Sequence, residues 1–224
     1  MHRQKIFYRQ QYHLLAIIIS VIGFNILDNV SAFTYGQLWS IDTTLWLWLG
    51  MIIPVVHQIY VWLAWRLEYH EQLISRTLGT ERGFQIYFII FMFFMIARFV
   101  YSILIAIANQ GSLGGNSLLF QILGLIILIP VVITMYAVIN YFGLKRAAGA
   151  DHFLEDYRHL GKVEGGIYDY VDNAMYWFAL LVLFVPALLL DSAAGLITAA
   201  YSYVYIWVHY YTVESPDLEE IFGN

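Results

Sequence analysis

Six apolar stretches divide this chain, and they constrain its fold more than any motif does. They run over Leu14–Leu27, Leu45–Trp65, Phe84–Ala108, Leu118–Phe142, Ala174–Leu190 and Ala193–Tyr211. A helix needs about 20 residues at ~1.5 Å each to cross the hydrocarbon core of a bilayer. The second, third and fourth stretches meet that outright, and the first does so once Asn25 and Asp28 are counted with it. The last two are short and joined by a tight turn at Asp191-Ser192, so they read as a helical hairpin that need not reach the far side fully. Pro54 and Pro130 fall inside the second and fourth stretches, where kinks are expected. Only 12% of the 224 residues are charged and 61% are hydrophobic, against about a quarter charged in a soluble domain. The expected fold is therefore all-α, one polytopic membrane domain over 1–224. Residues 1–142 carry four spans; residues 143–224 carry a polar loop, the hairpin and a tail.

Six crossings place the N-terminus, the 66–82 loop, the 143–173 loop and the tail on one side. Ten of the 11 Lys and Arg residues lie there: Arg3, Lys5, Arg9, Arg66, Arg76, Arg82, Lys145, Arg146, Arg158 and Lys162. The opposite loops hold none, and Arg98 lies inside the third span. The positive-inside rule makes the basic side, with both termini, cytoplasmic. Arg3 to His13 followed by Leu14–Leu27 also has the outline of a signal peptide, with Val30-Ser31-Ala32 as a cleavage site. The length of the apolar run, and its interruption by Asn25, favour a retained span.

No cysteine is present, which excludes a disulfide framework, a thiolate metal site and a cysteine nucleophile. There is no P-loop, GxGxxG, HExxH or nucleophile elbow, and no internal repeat to support an inverted-repeat transporter. No metal and no nucleic acid is expected, and nothing in the sequence specifies an oligomeric state. The glycines of Asn109–Asn116 read as a flexible turn. Arg98 stands about 21 Å into its span, and Asp28 is read at a similar depth, which suggests a buried ion pair serving as a clamp between helices. His57 and His209 appear at different depths, which disfavours a haem, and a hydrogen-bonded structural role is expected for His57. The tyrosines of the last span read as an interfacial belt.

The most informative region is the final third. Residues 163–176 (VEGGIYDYVDNAMY) form a glycine-containing turn that enters the fifth span, and residues 209–223 (HYYTVESPDLEEIFG) leave the sixth on the same side. The hairpin brings both segments together, gathering Gly165, Gly166, Asn173, Tyr176, His209 and Glu214. Free amides at a helix start favour a carboxylate, and a glutamate favours a cation or a ribose hydroxyl.

These residues resemble the membrane methyltransferases, which include phospholipid N-methyltransferases and isoprenylcysteine carboxyl methyltransferases. Their pattern is Gly-x-Tyr-x-x-x-Arg-(His/Asn)-Pro-x-Tyr, a hairpin, then Glu-Glu-x-x-Leu-x-x-x-Phe-Gly. On this chain it falls on Gly166, Tyr168, Asn173 and Tyr176, then on Glu214, Leu218, Phe222 and Gly223. Asp172, Ala174 and Ser215 stand where the family has Arg, Pro and its second Glu. The resemblance covers Val163 to Gly223 and implies S-adenosylmethionine as cofactor, held by Gly165, Gly166, Ile167, Tyr168, Asn173, Met175, Tyr176 and Glu214. It further implies transfer of a methyl group to a lipophilic acceptor, a lipid amine or a prenyl-cysteine-like carboxylate. Glu214 or His209 could orient the acceptor or take its proton.

Two alternatives stand beside that reading. One is an NADPH-dependent membrane reductase of related helix arrangement, which would need a basic phosphate pocket; the tail from Glu214 to Glu220 has four acids and no base. The other is a catalytically inactive homologue, to which the three departures point.

Overall fold

The structure, a computed structural model, describes residues 5–223; Arg3 and Asn224 lie outside them. All six apolar stretches are helical. They form α1 (Gln10–Leu27), α2 (Thr43–Glu71), α3 (Thr80–Ala108), α4 (Ser117–Ala137), α5 (Ala174–Leu189) and α6 (Ala193–His209), with α7 (Ser215–Phe222) in the tail. The only strands among the described residues are two short ones, paired Gln37↔Asp42 and Leu38↔Ile41. Trp39 and Ser40 turn that hairpin with positive φ at both positions, the twist a tight two-residue turn requires. The molecule is thus an all-α bundle, with four helices among the described residues long and apolar enough to cross a membrane.

Burial is distributed as a bilayer would ask. On α1, Leu14, Leu15, Ile18, Ile19, Ile22 and Ile26 are exposed, as are Leu125, Ile126, Ile129, Val132 and Ile133 on α4. In water such faces would be an aggregation liability; in lipid they meet their own kind. α2 is the central helix, packed on α3 and α6. Its 29 residues extend about 43 Å, beyond the ~30 Å hydrocarbon core, so its last turns, with Arg66 and Glu68, reach the polar zone. α2 and α4 run through Pro54 and Pro130 unbroken.

The hairpin reaches further than its length in residues suggests. Between α-helical ends of five residues each, α5 contains a six-residue 3₁₀ segment, Ala179–Phe184. A 3₁₀ helix rises ~2.0 Å per residue against 1.5 Å, so the leg measures about 27 Å rather than ~24 Å. Its turn meets the Asn109–Asn116 loop: Gly111 N donates to Leu190 O at 3.0 Å and Leu113 N to Asp191 O at 2.9 Å. That loop is therefore tied down rather than a free turn.

Asn109 is the knot at this end, and it is fully buried. Its Nδ2 donates to the carbonyls of Ala32 (3.1 Å) and Tyr35 (2.7 Å). Its Oδ1 accepts from Ser112 Oγ (2.5 Å), Ser192 Oγ (3.1 Å) and Ala194 N (2.7 Å). One side chain thus joins the α1–α2 connection, the end of α3 and the hairpin turn.

The ion pair expected between Arg98 and Asp28 does not form. Arg98 lies ten residues before the end of α3, about 15 Å below it, whereas Asp28 caps the end of α1. Arg98 Nη2 donates to Ser202 O at 3.1 Å, while its Nε and Nη1 find no partner among the described residues. His57 also departs from expectation. Its ring stacks on Phe94 at 5.2 Å, and neither nitrogen has a hydrogen-bond partner among the described residues.

Replacing Asn109 by Ala leaves several buried groups without partners, and each such group costs about 1–3 kcal/mol. Asn109→Ala is expected to lower the thermal unfolding temperature in detergent markedly while leaving helix content at low temperature unchanged, as read by circular dichroism.

Candidate functional site

At the opposite end of the bundle, where α4, α5 and α6 emerge, the chain encloses a cavity of about 650 Å³, within the ordinary range for a small-molecule site. Two departures from α-helix shape it. α4 ends in a π turn, Val138–Phe142, and α6 continues into another, Tyr210–Glu214. π turns are rare and concentrate at functional sites. The second widens the backbone and frees carbonyls that are taken up elsewhere: Arg9 Nη1 reaches Tyr211 O at 3.1 Å, and Gln10 Nε2 reaches Thr212 O at 3.3 Å.

Glycines set the wall. Gly149 has φ +80°, and a Cβ there would lie 2.3 Å from the indole of Trp65, so only glycine permits the approach. Gly165 and Gly166 lie flat on the ring of Tyr141, where a Cβ would come to 2.7 and 3.0 Å. The Asp169 carboxylate accepts from Gly165 N at 2.6 Å and closes that turn.

Of the residues singled out from sequence, Tyr168, Asn173, Met175, Tyr176 and Glu214 line the cavity. Asn173 takes a left-handed conformation at the start of α5 and donates Nδ2 to Tyr210 Oη at 3.1 Å. The Tyr176 hydroxyl donates to Glu214 Oε2, linking the two halves of the hairpin. Withdrawal from water raises the Glu214 carboxyl from the ordinary 4.5 to about 7, against the Tyr176 bond, which lowers it. Burial raises the Tyr168 phenol to about 12, so it stays neutral, and its hydroxyl has no partner among the described residues. Gly165, Gly166 and Ile167 support the turn rather than line the cavity. His209 lies behind Trp65, ring centroids 5.4 Å apart, and does not line it either. Of the two residues considered for a proton role, the geometry brings only Glu214 to the cavity.

The sequence reading missed a buried charged network behind the wall. Arg66 is wholly buried. Its Nε donates to Asp217 at 3.0 Å, Nη1 to the carbonyls of Ile6 (3.1 Å) and Tyr8 (2.7 Å), and Nη2 to Thr212 O (2.9 Å). Asp217 in turn faces His152 Nε2 at 3.4 Å, and His152 Nδ1 meets Asp151 Oδ1 at 2.9 Å. Burial opposes charge on His152, but Asp151 and Asp217 outweigh it and hold the imidazolium up to about 9. Burial likewise raises Asp151, yet His152 prevails and keeps that carboxyl below its ordinary value. Trp65 stacks on His152 at 4.2 Å, a cation–π contact. Asp151, His152, Trp65 and Arg146 all line the cavity. The adjacent Asp151 and His152 sit among many other charged residues of the polar 143–173 loop, so nothing in the local sequence set them apart.

The fold and cavity define an integral-membrane helical protein with a ligand-sized site, apolar with charged groups set into it, at the mouth of its terminal hairpin. Residues 119–224, just under half of the chain, match the model of the phospholipid methyltransferase family. The match takes in nearly all of α4, the connector, the hairpin and the tail. No curated protein and no solved structure matches the chain.

Two measurements check this site. Asp217→Ala strands the buried Arg66 guanidinium and is expected to cost about 3–5 kcal/mol, read as a lowered unfolding midpoint in detergent. Glu214 binds its proton more tightly folded than unfolded, so its contribution to stability is full below pH 4.5 and is lost as pH rises toward 7. Glu214→Gln should therefore gain stability relative to wild type between pH 5 and pH 8, by up to roughly 3 kcal/mol.

Proposed function

We propose that the protein transfers a methyl group from S-adenosylmethionine to a lipophilic acceptor, a lipid amine or a prenyl-cysteine-like carboxylate, at the cytoplasmic face of a membrane. The observation that carries this reading is the convergence of Asn173 and Tyr176 from the start of α5 with Glu214 from the π turn after α6 on one cavity. The cavity also suits the cofactor chemically. Trp65, Phe142 and Tyr168 offer flat apolar surface for a purine, while Arg146, Asp151 and Glu214 offer charge of both signs.

When bound, S-adenosylmethionine supplies an electrophilic sulfonium methyl for in-line displacement by a deprotonated nucleophile. The chain's own part is positioning, which can contribute several kcal/mol to the barrier reduction without acid–base chemistry. Glu214, with its carboxyl near 7, can hold or accept a proton at Oε1 while Tyr176 engages Oε2. The Asn173–Tyr210 bond fixes the entry of α5 against the π turn. Charge favours a sulfonium over a dinucleotide phosphate: Lys162 is already matched by Asp172 at 2.7 Å, and acids outnumber bases on the wall.

Calorimetric titration of the purified protein with S-adenosylhomocysteine tests the reading. Glu214→Ala and Asn173→Ala are each expected to weaken binding about tenfold, with NADPH giving no heat. Unchanged affinity in both variants removes the site from contention. Sidedness rests on the basic residues gathered at the cavity end. Because the chain has no cysteine, Glu164→Cys should resist a membrane-impermeant maleimide in intact cells, whereas Gln37→Cys should react.

A further inference from the structure

Arg146 and Asp151 line the cavity on either side of the Gly149 turn. The Arg146 guanidinium donates Nη2 to Gly161 O at 2.8 Å and stands 5.5 Å from the centre of the Phe142 ring. It pairs with no carboxylate among the described residues. Lys162, the other cation of the wall, is matched by Asp172. Asp151 is 5% exposed. Its Oδ1 takes both bonds from His152, the ring at 2.9 Å and the backbone N at 3.1 Å. Oδ2 accepts none and is not among the atoms closed off from solvent, in a residue that lines the cavity.

A guanidinium without a carboxylate partner and a carboxylate oxygen without a donor on one wall, not bonded to each other, complement a ligand carrying both charges in one small group. An α-amino acid is such a ligand. Its carboxylate matches the planar fork of an arginine, and its ammonium matches a carboxylate. A phosphate would meet repulsion from Asp151, and a simple amine would leave Arg146 unanswered. We propose that Arg146 and Asp151 form a zwitterion subsite for the amino-acid end of S-adenosylmethionine, an inference that rests on the donor reading above. His152, held between Asp151 and Asp217, acts as a positioning residue that presents the carboxylate.

The test is titration of the full-length protein in detergent with two ligands, S-adenosylhomocysteine and methylthioadenosine. The second keeps the nucleoside and thioether but lacks the amino acid. Wild type is expected to bind both. Arg146→Gln should weaken S-adenosylhomocysteine at least about tenfold, the loss of a charge-assisted bond, and leave methylthioadenosine unchanged; Arg146→Lys should recover part of the loss. Asp151→Asn should show the same selective pattern, and if it fails to fold, the part-exposed Arg146 decides alone. Equal losses for both ligands, or no loss for S-adenosylhomocysteine, overturn the subsite while the donor reading stands. A wild type that binds neither ligand overturns both.

Discussion

The buried guanidinium of Arg66 organises the cavity end of this protein. Lodged near the end of the central helix, it bonds the carbonyls of Ile6 and Tyr8, the π turn at Thr212 and the carboxylate of Asp217. Three separate parts of the chain are thereby held by one side chain. Burying that charge is tolerable only because its partners are in place. Asp217 then passes the constraint to His152 and Asp151, so the connector is fastened to the tail helix through the same ions. Without this anchor the cavity would lose the backing of one wall.

Irregular helix is the second theme, and at each place it has a job. The 3₁₀ segment of α5 lengthens a leg that would otherwise be short for a bilayer. The π turn after α6 shifts the register so that Glu214 meets Tyr176 across the hairpin. The π turn closing α4 brings Phe142 to the cavity and hands the chain to Gly143, whose φ of +88° starts the connector back toward α2. Substituting regular α-helix at any of them would rotate the following residues away from their present neighbours.

Hydropathy alone revealed the helices, because lipid leaves few choices for an apolar run of 20 residues. Asn173, Tyr176 and Glu214 were legible from the spacing of two short segments around a hairpin, since a hairpin must return its ends to one place. Depth was not legible. Counting from the start of each apolar run put Arg98 level with Asp28, but α3 begins at Thr80 and ends well beyond Arg98, whereas α1 ends at Asp28's doorstep. The charged network was equally hidden. Arg146, Asp151 and His152 reach the cavity because left-handed glycines fold the connector back on Trp65, and that outcome depends on tertiary contact rather than local pattern.

Asn109 ties the far ends of the bundle together with five hydrogen bonds, and the cavity lies at the other end. The hairpin is therefore clasped at both tips, because the Asn173–Tyr210 and Tyr176–Glu214 bonds cross-link its legs beside the cavity. Spreading the legs at that mouth means breaking those two bonds, so they act as its latch.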